Sequence, residues 1–249
     1  MKAIILAGGL GKRLRPLTYA LPKPLLPIGP TTIIERLVTM LQHSGVTDIF
    51  VATRYMGGKI QRVLGDGSRY GINLQYVEED RPLGTCGPVL TVKDELLSPF
   101  LLINSDIVTE LDFRQFYEDA IRMKASLTLG TVQTSLACRY GVISTDETGV
   151  VKSFVEKPSL SVEILGGIYC LDPVVLQFVE AGVQFGIDNL ITALFKAHFP
   201  VRHRLIDDLW IDVGEISDYQ RAVTLFVDDR SAVPASQKKP SDSARSSLR

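Results

Sequence analysis

Cysteine is scarce in this chain. Cys86, Cys138 and Cys170 are odd in number, far apart and without a CxxC pair, which argues against a disulfide framework or a thiolate zinc site and for a reducing compartment. Histidine is equally thin: His43, His198 and His203 are scattered, and no Ser or Cys stands in a nucleophile motif, so covalent or histidine-base chemistry has no constellation to run on. Neither sign of charge is in excess. A net charge of −1 gives no general reason to expect nucleic acid or an anionic membrane as a partner. No apolar run reaches membrane-spanning length and no signal-peptide pattern precedes the first strand, so a cytoplasmic protein is expected. Internal repeats are absent. What 249 residues with 45% hydrophobic side chains can do is bury the core of one large α/β domain. Residues 1–230 are expected to form it. Residues 231–249, rich in Ser, Ala, Pro, Lys and Arg with no apolar period, are expected to be disordered.

The chain is organised around its first twenty-nine residues. Ala3 to Ala7 is an apolar run of strand length that ends at Gly8-Gly9-Leu10-Gly11. Glycines tolerate φ > 0 and expose consecutive N–H groups, so such a turn can form a concavity of donors suited to phosphate oxygens. Lys12, Arg13 and Arg15 add positive charge. The spacing matches neither common phosphate loop, because no third glycine follows Gly9 and Gly11 at the dinucleotide spacing and no Gly-Lys-Ser/Thr is present. Pro16, Pro22, Pro24 and Pro27 forbid a regular helix, so residues 14–29 are expected to be an extended, rigid, lid-like segment. Lys23, framed by two prolines, is placed for a point-charge contact to a phosphate or carboxylate.

Further on, Thr32 and Glu35 form a capping-box pattern before Ile33, Ile34, Leu37, Val38 and Leu41, and Gly45 stops that helix. Residues 48–52 read as the second strand of a right-handed βαβ unit, which puts ligand at the carboxyl ends of parallel strands. Residues 59–64 suit a short helix and 72–77 a strand. Gly84 and Gly87 flank Thr85 and Cys86 ahead of an expected helix over 89–97, which allows close backbone approach at a helix start, or simply an ordinary loop. A wholly apolar strand at 100–103 runs into Asp106. A carboxylate there is placed to hold Mg²⁺ against phosphate oxygens, or to cap the segment leading to the helix at 113–123. Strands are expected at 125–132 and 166–171, a hairpin from 140–144 and 150–156, and helices at 173–180, 189–198 and 216–227. The hairpin implies antiparallel additions to the parallel sheet.

The string Leu6-Ala7-Gly8-Gly9-Leu10-Gly11-Lys12-Arg13-Leu14-Arg15-Pro16-Leu17-Thr18, followed by Pro22-Lys23-Pro24-Leu25-Leu26-Pro27-Ile28-Gly29, resembles the amino-terminal signature of the sugar-1-phosphate nucleotidylyltransferases. Lys12 departs from the threonine often found there. The Tyr-Gly-Val string at Tyr140 and the Phe-Val-Glu-Lys-Pro string ending at Pro158 match the same family in order and separation. The resemblance implies a Rossmann-like mixed, mostly parallel sheet flanked by helices, of the nucleotide-diphospho-sugar transferase type. It implies nucleotide contacts from Leu6, Gly8, Gly9, Gly11, Lys12, Arg13, Gly84 and Thr85, and catalytic roles for Arg13, Lys23 and Asp106. Tyr140, Gly141, Glu156, Lys157 and Gly167 would line the sugar-phosphate pocket. Asp106 and Asp212, the latter beside the single tryptophan Trp210, would share one Mg²⁺. The implied reaction joins an NTP to a sugar 1-phosphate, or a cyclitol or polyol phosphate, with release of pyrophosphate. Pro82-Leu83-Gly84-Thr85 resembles the loop of the mannose- and heptose-1-phosphate guanylyltransferases more than that of thymidylyl enzymes, which points to GTP, with the base contacted largely by backbone near Gly8 and Gly84. A catalytically silent regulatory subunit is the competing expectation. A homodimer is the default for a soluble enzyme.

Overall fold

A computed structural model describes residues 1–226, and the tail expected at 231–249 lies outside them. Seven strands make the main sheet: β1 (Lys2–Ala7), β2 (Asp48–Thr53), β3 (Asn73–Glu78), β4 (Phe100–Asn104), β5 (Leu127–Ala137), β6 (Ser159–Leu171) and β7 (Val201–Leu205). Their spatial order is β7-β5-β6-β4-β1-β2-β3. Strands β4, β1, β2 and β3 are mutually parallel, and β7 is parallel to β5. Only β6 runs against its neighbours. The mixed, mostly parallel sheet is therefore as expected.

Because side chains alternate along a strand, β1 feeds two cores at once. Ala3, Ile5 and Ala7 pack with the helices Ile33–His43, Gly57–Leu64 and Phe113–Met123 on one face. Ile4 packs with Val89, Val175 and the helix Ile187–Lys196 on the other. This two-sided burial explains why β1 and β4 read as unbroken apolar runs. The Ile33–His43 helix begins as its sequence specifies: Thr32 Oγ1 accepts the Glu35 N–H at 3.3 Å, and the Glu35 carboxylate accepts the Thr32 N–H at 3.0 Å. Gly45, at φ 87°, closes the helix end.

Several local expectations are corrected. Residues 14–29 are not extended; they form single turns at Lys12–Leu14, Leu17–Ala20 and Lys23–Leu25, then a short strand at Pro27–Ile28. Prolines bar a long helix, yet each tolerates the first turn of a short one. Nor is the segment a loose lid: Leu14, Leu26 and Ile28 are buried with Ile33, Val108, Ile211 and Val213 in a third apolar cluster. The 89–97 helix is instead a 3₁₀ stretch, Gly87–Glu95, kinked at Val92, and the 173–180 helix is a 3₁₀ turn, Pro173–Phe178. The hairpin pairs Val142–Thr145 with Val151–Val155 as a separate two-stranded sheet, while β5 and β6 run longer than their apolar cores. Edge strand β7, polar in Arg202, His203 and Arg204, has no apolar pattern to announce it. No helix among the described residues is long and apolar enough to cross a membrane.

The third cluster anchors the amino-terminal loop to the carboxyl-terminal helix Ile216–Phe226, and each fully buried aliphatic side chain in it contributes roughly 1.5–3 kcal/mol. Leu14→Ala is expected to cost about 2–5 kcal/mol, measured as a lowered midpoint in urea unfolding at constant slope.

Candidate active site

Parallel β1 and β4 deliver their carboxyl ends to one edge of the sheet, where the Ser105 N–H continues the ladder by donating to the Leu6 carbonyl at 3.1 Å. Asp106 follows immediately. The chain then pairs Ile107–Thr109 antiparallel with Trp210–Asp212, and the Val213 N–H donates to the Asp106 carbonyl at 3.0 Å. This short ribbon sets the two aspartates side by side. Trp210 anchors it by donating its indole N–H to the Gly166 carbonyl at 2.8 Å, in the bulge where β6 changes register. The helix Phe113–Met123 is capped by Asp112, whose carboxylate accepts the Gln115 N–H, so Asp106 is free of capping duty.

Lys23 enters between the carboxylates. Its ammonium contacts Asp106 Oδ2 and stands 3.8 Å from Asp212 Oδ1, with only 12% of the side chain exposed. Burial pushes the Asp212 carboxyl above the ordinary aspartate value, Asp106 pushes the same way, and Lys23 and Arg13 pull it back. Oδ1 of each aspartate is nonetheless buried without a hydrogen-bond partner. Two orphaned hard oxygens from different chain segments fit a divalent ion such as Mg²⁺, which takes one or two protein carboxylates and completes its shell with water and phosphate. Among the described residues no group of three or more His, Cys, Asp and Glu gathers, so a site furnished wholly by protein is not what these residues build.

The Gly-rich turn has a different geometry at each glycine. Gly11, at φ 59°, leaves no room for a side chain, since a Cβ there would lie 2.8 Å from Thr18 Cγ2, and the Thr18 hydroxyl donates to its carbonyl. Gly9 faces open space. Arg13 and Lys12 are exposed, and Arg13 lies over Gly214, 3.9 Å from Glu215. Beside Gly8 opens a cavity of about 270 Å³, whose lining includes Leu6, Gly8, Arg54, Glu79, Gly84 and Gln184. Gly84, at φ 77°, lies flat on the Phe185 backbone, which binds the loop through Cys86 N–H to Phe185 O and Phe185 N–H to Leu83 O, both 2.9 Å. Thr85 lines the same cavity.

Glu79, Arg54 and Gln184 went unread in the sequence. The cavity is walled by side chains as well as by the backbone near Gly8 and Gly84. Glu79 had a signal available, the first position beyond a strand on the ligand edge; Gln184 had none, since only the Phe185 pairing brings it there. Glu79 is 9% exposed, and its Oε2 accepts the Leu83 N–H at 3.1 Å. Burial pushes its carboxyl up from the ordinary range, while that N–H and Arg54 oppose the shift.

Buried Gly167 at φ 70° lies against Asn104, where a Cβ would be 2.7 Å from Nδ2. Tyr140, Gly141, Glu156 and Lys157 meet at the open end of the hairpin, and a Cβ on Gly141 would fall 2.9 Å from Glu156 Oε2. All four are exposed, Tyr140 at 77%. Lys157 is solvated rather than buried. The Cys86 and Cys170 thiols are buried and pushed up to about 12.

The family described as nucleotidyl transferase matches residues 2–228. The mannose-1-phosphate guanyltransferase of Schizosaccharomyces pombe is 34% identical over 242 residues, covering 91% of this chain and 64% of its own length. The UTP–glucose-1-phosphate uridylyltransferase of Synechocystis is 31% identical over 248 residues, covering 90% and 62%. The crystal structure of HddC from Yersinia pseudotuberculosis, also determined in complex with GMP-PN, superposes with a TM-score of 0.71 at 28% identity, covering 90% of this chain and 99% of that one. The chain spans between 62% and 67% of the length of these and similar curated relatives. With its sheet, its Gly-rich turn and its paired aspartates all within the matched span, the chain belongs to the nucleotidyl transferase family.

Proposed function

We propose that the protein joins a nucleoside triphosphate to a sugar 1-phosphate, releasing pyrophosphate and a nucleotide sugar. The observation that carries this reading is the convergence of Lys23, Asp106 and Asp212 on the sheet edge that also bears the Gly-rich turn. A sugar phosphate is already an anionic nucleophile, so no general base is needed and the absence of a placed histidine costs nothing. The difficulty is repulsion between two anions and charge growing on the leaving pyrophosphate, which calls for positioning and fixed positive charge. Lys23 would answer it at the α-phosphate, and Arg13, on the solvent side of the turn, at the leaving group. Gly8, Gly9, Gly11 and Lys12 would receive the triphosphate, with the base in the cavity beside Gly84 and Thr85. Asp106 and Asp212 would hold Mg²⁺ through the oxygens that lack partners. Bound there, the ion supplies Lewis-acid stabilisation to the phosphoryl oxygens.

The acceptor would lie beyond the aspartates, between Gly167 and the hairpin residues Tyr140, Gly141, Glu156 and Lys157. Glu156 would accept hydrogen bonds from sugar hydroxyls and Lys157 would meet the phosphate. Mannose, heptose, glucose or a cyclitol phosphate all suit such a hydroxyl-reading carboxylate. The base is read as guanine, since several relatives are named guanylyltransferases and the HddC structure was determined with GMP-PN. A silent regulatory subunit would have no use for two buried aspartate oxygens without hydrogen bonds held around a lysine.

Pyrophosphate release measured with Mg²⁺ across a matrix of NTPs and sugar 1-phosphates is expected to require both substrates; no release from any pair would overturn the assignment. Asp106→Asn and Lys23→Met should each lower kcat by on the order of 10²–10³ while leaving the circular dichroism spectrum unchanged. Chelation by EDTA should abolish turnover, and added Mg²⁺ should restore it.

A further inference from the structure

We infer that the protein carries a second small-molecule site, a cavity for a neutral polyol of monosaccharide size, at the pole of the sheet opposite Asp106. The inference does not depend on the transferase reading. The cavity has a volume of about 320 Å³, against about 270 Å³ for the one beside Gly8, and Lys124, Ser126, Thr128, Cys170 and Asp172 supply its polar wall. Sheet pairing sets its floor: Cys170 on β6 stands opposite Thr128 on β5, in a row that Leu101 of β4 continues. The Ser126 N–H donates to the Pro200 carbonyl at 2.9 Å and the Ser126 carbonyl accepts the Asp172 N–H at 3.0 Å, which ties the start of β5 to the end of β6. The helix Phe113–Met123 ends at Lys124, φ 50°, and Ala120 and Ile121 of its last turn line the apolar side. From Leu101 the strand β4 rises about 10 Å to Asn104 before the chain reaches Asp106. The cavity beside Gly8 and this one have no lining residue in common.

Thr128 is 1% exposed and Ser126 8%, yet neither hydroxyl makes a hydrogen bond among the described residues. A buried hydroxyl is ordinarily satisfied, and leaving one unpaired is destabilising. Neither is sealed off, since both line the cavity, so a partner can reach them there. One bound water needs only roughly 10–15 Å³, a small part of the space. Ligand pockets begin at roughly 300 Å³, which limits the occupant here to a compact molecule. Lys124 and Asp172 bring one charge of each sign, and no ion pair joins them. An anionic ligand would gain the ammonium only by facing the carboxylate. Hydroxyl groups use both: they accept from Lys124 and donate to Asp172, which spends Oδ1 on the Val174 N–H at 2.9 Å and keeps Oδ2 for the cavity. Ser126 and Thr128 can each donate or accept, as a ring of hydroxyls demands. A zwitterion would match the two charges, but the two further hydroxyls call for a ligand with several hydroxyls of its own. Ala120 and Ile121 suit its C–H face.

Thr128→Val keeps the branched shape and loses the hydroxyl, and Asp172→Asn keeps an oxygen for the Val174 N–H, so the turn Pro173–Phe178 stays capped. Mannose, glucose and glycine should be titrated into the full chain, followed at the backbone amides by nuclear magnetic resonance, for wild type, Thr128→Val, Asp172→Asn and Glu156→Gln. A hexose is expected to bind wild type and Glu156→Gln alike and to shift the amides of Ser126, Thr128 and Cys170. Its affinity should fall about three- to tenfold in Thr128→Val and about ten- to a hundredfold in Asp172→Asn. No hexose binding to wild type, or glycine bound in preference to both hexoses, would overturn the inference. So would hexose binding that Thr128→Val and Asp172→Asn leave unchanged, or that Glu156→Gln removes, since the sugar would then sit at the hairpin.

Discussion

Asp106 and Asp212 carry like charges that repel, and the Lys23 ammonium between them is the contact on which the site depends. Neither carboxylate could be held beside the other cheaply. Burial already pushes Asp212 toward its protonated form, and its neighbour adds to the push. Backbone does the holding instead: the pairing of Ile107–Thr109 with Trp210–Asp212 fixes both side chains through main-chain hydrogen bonds, leaving Lys23 to offset the charge. One oxygen on each aspartate stays without a hydrogen-bond partner. That unsatisfied state fits a cation that arrives with its substrate.

Lys23 can serve two carboxylates because its segment is stiff and anchored. Pro22 and Pro24 restrict the backbone on either side of it, and the apolar cluster around Leu14, Ile28, Val108 and Ile211 pins the segment to the ribbon that bears the aspartates. Three distant stretches of chain thus meet by hydrophobic burial, and the electrostatics are arranged on top of that scaffold. The glycines show the same economy, each for its own cause. Gly11 and Gly84 need positive φ and close packing, whereas Gly8 has to leave space for a neighbouring carboxylate.

The cavity beside Gly8 and the hairpin differ in rigidity of support. The cavity is walled by strand ends and by a loop bonded to the Phe185 backbone. The hairpin residues, Tyr140 and Lys157 among them, stand exposed beside a two-stranded sheet outside the main one.

Much of this protein was legible as sequence because the responsible forces are local. Apolar period and caps marked β1, β4 and the helices Ile33–His43 and Phe113–Met123, and the Gly-rich turn with its framed lysine marked the ligand edge. Prolines misled: they barred a long helix at residues 14–29 without imposing an extended chain, since a single turn satisfies φ near −65° as well as a straight segment does. Edge strand β7 and the full reach of β5 and β6 escaped notice because cross-strand pairing, not apolar alternation, makes them strands. What tertiary structure alone decided was company. Asp106 meets Asp212, Gly8 makes room for Glu79, and Gln184 reaches the cavity through Phe185, because side chains far apart in sequence become neighbours only when the sheet order and the buried clusters have brought their backbones together.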